Sequence, residues 1–281
     1  MNNAKSPFEC PICGSGRVKG LFEVGAYHIM LCRDCGGGFI WPMPRASELP
    51  GIYGERYGDD YLKGVMHEAS FAEARFQDVI AAIGRWHPAT LGRQRRRVLD
   101  VGCGSGRFLA LLRDAGWEVH GVEISSGLSK YARELGLDVL QGEFLAADLP
   151  IGAFDLVCMF HVVEHFIDPA AALRKVHDLL APGGVLFVET PNWSSIGALV
   201  RGPRWSHFIP PEHVTYLGPK SVSRLAESCG LSTVMCRTIT PPVIQSLQAL
   251  PGVARTIGIL LYDLASLLGR GPSLQYMGRR P

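Results

Sequence analysis

The stretch VLDVGCGSGRF, residues 98–108, decides the fold. An apolar run is followed by glycines at alternate positions, Gly102, Gly104 and Gly106, and then by the helix-like RFLALLRDAG. A strand that turns through glycines into a helix brings backbone close to a ligand at the strand's carboxyl end. The ligand is read from what surrounds the glycines. The pattern is D-x-G-x-G-x-G, with Arg107 where a dinucleotide fold places its third glycine, and no Lys-Ser/Thr follows as a phosphate loop requires. Asp100 would repel a pyrophosphate at this turn, whereas a ligand carrying an ammonium and a second cationic centre would welcome it.

Outward from this turn, the chain alternates. Strands are expected at 97–102, 117–122, 138–141, 154–160, 185–190, 231–238 and 273–279, with helices at 106–115, 126–135, 168–181 and 219–229. Alternation of this kind builds a parallel sheet covered by helices on both faces, an α/β Rossmann-like fold. Two further acidic residues stand at successive strand ends. Glu123, in GVEIS, is placed to accept from ribose hydroxyls. Glu143, in LQGEFL, is placed to accept from an adenine amino group, with Phe144 offering a backbone N–H and an apolar face. The arginines 93, 95, 96 and 97 precede the first strand of this sheet, at the edge opposite the ligand, and read as a solvated edge.

These segments resemble the class I S-adenosylmethionine (SAM)-dependent methyltransferases: VLDVGCGSG, GVEIS, FDLVCMFHVVEH, LAPGGVLFVET and CGL, over residues 95–281. The resemblance implies a seven-stranded sheet whose last strand, SLQYMGR, is antiparallel. It also implies SAM contacts from Asp100, Gly102, Gly104, Gly106, Glu123, Glu143, Phe144 and His161, with Phe160 beside them. HVVEH (161–165) resembles the E-V-L-E-H segment of ubiquinone-biosynthesis O-methyltransferases and small-RNA 2′-O-methyltransferases. In the latter, acid and histidine hold a divalent metal together with a later histidine, which makes Glu164 and His165 candidates for a second metal; His161 stands where that motif has its first Glu. Taken alone, H-x-x-E-H is also a peptidase zinc motif, but here it follows a strand of the expected sheet.

The segment PRWSHFIPPEHVTYLGPKSVSRLAESCGL (203–231) resembles sugar methyltransferases that carry Y-H-E-H there and also have an N-terminal zinc-binding region. This chain keeps Glu212 and His213 but has Pro210 and Pro211 in place of Tyr and His. A histidine titrating near neutrality can take the proton from an attacking hydroxyl. His213 is the expected general base, with His165 or His161 as alternatives and Glu212 to orient it. Trp193, Trp205, Phe208 and Tyr216 either wall a substrate pocket or pack as core.

The N-terminal segment carries a separate signal. Cys10 and Cys13, then Cys32 and Cys35, form two C-x-x-C turns flanking an alternating stretch that reads as a hairpin. Four thiolates at that spacing make a tetrahedral, closed and therefore structural Zn²⁺ site. A small zinc ribbon over 1–40 is expected, followed by a linker and a packing helix over 41–94 and the methyltransferase domain over 95–281. The linker contains Tyr53, Tyr57 and Tyr61 at helical spacing. Within the domain, a helical insertion at about 243–268 could cover the substrate, form a dimer interface or lie on a membrane; covering or packing is expected, because its polar face lacks the Lys/Arg row of an interfacial anchor.

Bulk properties bound the rest. A net charge of +2 gives no general case for nucleic acid or a charged surface, so no nucleic-acid partner is expected. No run approaches the roughly 20 apolar residues of a membrane span. The N-terminal residues lack an apolar leader, and paired thiols suit a reducing compartment, so a cytoplasmic location is expected. The expected activity is SAM-dependent methyl transfer, to oxygen of a small-molecule, sugar or glycan-type acceptor. The rivals are a metal-assisted RNA 2′-O-methyltransferase and a non-catalytic SAM-binding scaffold.

Overall fold

The protein is described from a computed structural model covering residues 8–45, 48, 69–90, 92, 96–240 and 252–281. The tyrosine-rich linker, Arg93 and Arg95, and the first part of the expected insertion lie outside the described residues. The main sheet contains β4 (Arg97–Val101), β5 (Glu118–Glu123), β6 (Asp138–Gln141), β7 (Phe154–Phe160), β8 (Leu180–Pro191), β10 (Ser232–Ile239) and β11 (Ser273–Arg279). Their spatial order is β10-β11-β8-β7-β4-β5-β6. The strands β4 to β8 run parallel, and β11 is antiparallel to both of its neighbours. The expected seven-stranded sheet with an antiparallel last strand is therefore present.

Both faces of this sheet are buried, and the strand residues divide by parity. Leu99, Val101, Val157, Met159, Leu186 and Val188 share one core with α4 (Pro169–Leu179) and α6 (Pro219–Ser228). Val98, Leu156, Cys158, Val185 and Phe187 share the other with α1 (Ala69–Trp86) and α2 (Arg107–Asp114). Each fully buried Leu, Val or Phe contributes about 1.5–3 kcal/mol relative to exposure, so the interleaved pattern fixes register. The remaining helices are α3 (Ser126–Glu134), α5 (Ile196–Arg201) and α7 (Gly252–Leu267). Ser125 caps α3 by accepting from Leu128 N–H, and Asp168 caps α4 by accepting from Ala171 N–H, with Pro169 at its first turn.

The expected α4 overruns its real end. It stops at Leu179, and Leu180-Ala-Pro-Gly-Gly is already extended as the start of β8, where Leu180 pairs with Phe154. Pro182 cannot continue a helix. A side chain at Gly184 would meet the Phe154 and Ala181 carbonyls at 2.8 and 2.9 Å.

The cysteine-bearing strands β1 (Val18–Val24), β2 (Tyr27–Cys32) and β3 (Gly38–Trp41) form a second, antiparallel sheet. Its fourth strand is β9 (Thr215–Tyr216), supplied by the segment that follows His213. Cys10, Ile12, Met30, Cys32, Cys35 and Phe39 belong to the same apolar core as α6 and the main sheet. Trp193 Nε1 donates to the Gly36 carbonyl at 2.9 Å, and the Trp193 ring leaves no room for a Cβ at Gly38.

Candidate active site

The glycine turn follows β4 as expected. Gly106 has φ +74° at the start of α2, and a Cβ there would stand 2.4 Å from Leu137 Cδ1 and 3.0 Å from Ala132 Cβ. Only glycine satisfies both conditions. Gly104 is also left-handed, at φ +56°, but faces open space, which is where a ligand can approach. Gly102 lies against Val162 of HVVEH, 2.6 Å from its built Cβ to Val162 Cγ2. The glycine turn and the histidine-bearing loop are thus in direct contact.

Asp100 is buried near the end of β4, and among the described residues its Oδ1 receives no hydrogen bond. Burial pushes its carboxyl up to about 8, opposed by Arg75 of α1 and reinforced by Glu123. A cationic ligand here would restore its charge. Glu123 ends β5; its two oxygens accept from Gly104 N–H at 2.9 Å and Ser125 N–H at 2.8 Å, so it also holds the glycine turn in shape. Burial raises its pKa despite these bonds. Beyond β6, Glu143 is exposed, while Phe144 is buried against Phe166 with Lys175 Nζ 5.1 Å from its ring centre.

His161 leaves β7 at φ +54°, with its N–H donating to the Glu189 carbonyl at 2.8 Å. Its ring stands 3.5 Å from Glu164 Oε1 and 3.6 Å from Glu189 Oε1. Burial pulls its pKa down, but the two carboxylates outweigh that and raise it to about 9. Glu164 is held at about 2: burial would raise it, and His161 foremost lowers it. Its Oε2 accepts from the Thr190 hydroxyl at 2.9 Å.

Glu164, His165 and His213 converge, with one ligand atom from each within 4.8 Å of the others. His165 Nδ1 lies 2.9 Å from the Glu212 carbonyl and His213 Nδ1 2.9 Å from the His207 carbonyl. A carbonyl only accepts, so both imidazoles carry the proton on Nδ1 and turn a basic Nε2 outward. That is how metal-ligating histidines are fixed. Glu164 Oε1 already faces the His161 ring at 3.5 Å, so a cation bound here would share this carboxylate with His161. Burial lowers the pKa of His213 to about 3, so it is neutral but weakly basic. Trp205, Phe208 and Tyr216 form a compact cluster with Ile29, Ile40 and Val214 behind this triad, and Trp193 packs against it.

One group around the site carries no sequence signal. Arg75 of α1 donates to Glu189 Oε1 at 3.4 Å and sits over the Phe160 ring, while Gln275 Nε2 of β11 donates to Glu189 Oε2 at 3.0 Å. Asp78 accepts from the same Gln275 and from Arg237 of β10. The network ties α1 over the carboxyl edge of the sheet.

The four cysteines also converge. Cys10 Sγ and Cys35 Sγ are 3.7 Å apart, and Cys13 Sγ and Cys32 Sγ 3.6 Å. A tetrahedron with Zn–S bonds of about 2.3 Å has edges of about 3.8 Å, and a disulfide would need about 2.05 Å. Cys10 Sγ beside Cys35 and Gly37 N–H, which approaches Cys35 Sγ at 3.4 Å, together lower the Cys35 pKa against burial. The set fits a Zn²⁺ ion.

Strand order, glycine turn and acidic strand ends define a SAM-dependent methyltransferase. The chain belongs to the methyltransferase domain family, which matches residues 69–235, more than half of it and downstream of the cysteines. It is similar to the ubiquinone biosynthesis O-methyltransferase of Thiobacillus denitrificans, 29% identical over 53% of this chain and 70% of that one. That of Methylococcus capsulatus is 33% identical over 48% of this chain and 63% of the relative. Matches to the Xanthomonas campestris enzymes span only 43% of those proteins. Among solved structures, a SAM-dependent methyltransferase from Thermotoga maritima aligns with a TM-score of 0.58 at 18% identity, covering 82% of this chain and 99% of that one. The [4+2]-cyclase SpnF aligns at 0.57 and 16% identity over 85% and 98%. The two structures speak for the fold alone, and the cyclase shows that the fold does not dictate the reaction.

Proposed function

We propose that the protein transfers the methyl group of SAM to a hydroxyl oxygen of a small acceptor, at a site where Glu164, His165 and His213 hold a divalent cation. The observation that carries this is the convergence of the three ligand atoms beside the glycine turn, with both histidines fixed through Nδ1. The O-methyltransferase names of the relatives support oxygen as the target. A divalent cation bound there lowers the pKa of a nearby hydroxyl and offsets negative charge on its oxygen. His213, so strongly shifted down by burial, serves better as a ligand than as the base. Thr190 orients Glu164, and the Glu212 and His207 carbonyls orient the two rings.

In this reading Asp100, Gly102, Gly104, Gly106, Glu123, Glu143, Phe144 and His161 surround SAM. The acceptor oxygen attacks the methyl carbon in line, the bond to sulfur breaks with its electron pair staying on sulfur, and the hydroxyl proton passes to solvent water. Catalysis is chiefly positioning. Zn²⁺ on Cys10, Cys13, Cys32 and Cys35 is structural, and the ribbon over 1–40 holds the acceptor side of the site. The sugar- or glycan-type acceptor rests on the resemblance of residues 203–231 and is one arm of the test.

That test supplies methyl-labelled SAM with catechols, nucleotide sugars or RNA, and compares wild type with Glu164→Gln and His165→Gln. Label in the catechol or sugar pool, lost in both variants while SAM still binds, is the expected result. Unchanged turnover in both variants would refute the metal site; label in RNA alone would refute the small acceptor.

A further inference from the structure

The apolar stripe of α7 faces away from the protein. Ile257, Leu260, Leu261, Leu264, Leu267 and Leu268 recur at helical spacing and are exposed, Leu260 to 63% and Leu267 to 85%. An ordinary surface helix buries that stripe. Here the helix is anchored through its small and polar side instead. Ala265 is buried, the Thr238 hydroxyl donates to the Ser266 carbonyl at 2.7 Å, and Thr240 Oγ1 lies 2.9 Å from Ser266 Oγ. The described part of the insertion thus leaves its apolar stripe exposed.

A second apolar element joins it. Ile196 N–H donates to the Arg270 carbonyl at 3.0 Å, Arg270 Nη1 donates to the Ser194 carbonyl at 2.9 Å, and Asn192 Nδ2 donates to the Gly271 carbonyl at 2.8 Å. These bonds fasten the start of α5 to the chain leaving α7. Leu199 and Val200 of α5 are each 77% exposed. Arg201, Arg204 and Arg270 are exposed beside them, against one exposed carboxylate on α7, Asp263. The insertion carries a single basic residue, Arg255, and the further guanidiniums stand on α5, the turn after it and the chain leaving α7.

We propose that α5 and α7 together form an in-plane docking surface for an anionic phospholipid bilayer. Exposed leucines at helical spacing enter the acyl boundary while flanking guanidiniums meet lipid phosphates. No helix of the described residues is long and apolar enough to cross a membrane, and at about 1.5 Å per residue α7 is about 24 Å long, suited to lying in the interface. The surface follows directly from the segment that leaves β8 at the carboxyl edge, so docking would bring the acceptor side toward lipid. The inference stands on exposure and charge and does not depend on which atom is methylated.

The test is cosedimentation of the full chain with phosphatidylcholine vesicles, with and without phosphatidylglycerol, at low and high salt. Binding that requires phosphatidylglycerol and weakens with salt is expected. Arg201→Ala with Arg204→Ala should lower partitioning about 30-fold, and Leu260→Asp with Leu264→Asp by a factor on the order of 100, with SAM binding and thermal midpoint unchanged. Absence of binding to either vesicle overturns the proposal, as does binding that both variant pairs leave intact. A concentration-dependent dimer dissolved by the leucine pair, without vesicle binding, assigns the stripe to a second copy and also overturns it.

Discussion

Replacing Asp100 by Asn separates what this residue does for the ligand from what it costs the fold. The carboxyl ordinarily titrates at 3.8 and is pushed to about 8 in the folded chain. Between those values the folded state keeps a proton that the unfolded state has released, so stability falls as pH rises and levels off above about 8. A proton held by one state alone changes stability by about 1.4 kcal/mol per pH unit, so the interval from 3.8 to neutrality amounts to about 4 kcal/mol. Asn keeps the shape and has no proton to lose. Urea unfolding of ligand-free wild type and Asp100→Asn from pH 5 to 9 should therefore diverge, the variant gaining about 1.4 kcal/mol per pH unit until about pH 8. The proposed contact with SAM adds a second readout: wild-type affinity should tighten with rising pH up to about 8, while the variant binds weakly and without that dependence. Parallel stability curves would refute the burial argument, and undiminished SAM binding by the variant would refute the ligand role.

Other outcomes follow from the same geometry. Thr190→Val removes the hydroxyl that orients Glu164; titration calorimetry with Mn²⁺ or Mg²⁺ should show metal affinity down about tenfold with SAM affinity unchanged. Gly106→Ala must strain a left-handed backbone and displace Leu137 and Ala132, and should lose about 2–4 kcal/mol in urea unfolding. Cys32→Ser should lower bound zinc, measured by elemental analysis, from one equivalent toward none. Because the cysteines share the core of α6, it should also lower the melting temperature of the whole chain rather than of its N-terminal part.

Local patterns carry most of the fold into the sequence. The strands at 138–141, 154–160 and 273–279 are legible to the residue, since each is a short run with an apolar centre bounded by turn signals. The glycine turn and the paired cysteines are legible because spacing alone states their geometry. What escapes is long-range. Thr215–Tyr216 is too short to show a period, and only the fold brings it beside Gly38 and Phe39. Arg75, Glu189 and Gln275 read as ordinary residues of a helix and two strands, and their association depends on which faces meet. The stripe of α7 is visible as a stripe, but periodicity does not say which side packs. The motif around His213 marks it as a base, and only the fold shows that it is buried with its Nδ1 committed to the His207 carbonyl.

The borrowed strand has a consequence for biosynthesis. Ile40 N–H donates to the Val214 carbonyl at 3.1 Å, and Val214 N–H donates to the Glu164 carbonyl at 3.0 Å, so the cysteine sheet and the HVVEH loop close through one short piece of backbone. Until the ribosome has made that piece, most of the chain after β3, the outer edge of β3 has no partner. Open edges recruit other strands, and a contact this distant in sequence forms late. Early metal loading of the cysteines would keep the nascent hairpin compact through the wait. Zinc starvation should then appear first as newly made, aggregated chain, while protein already folded keeps its activity.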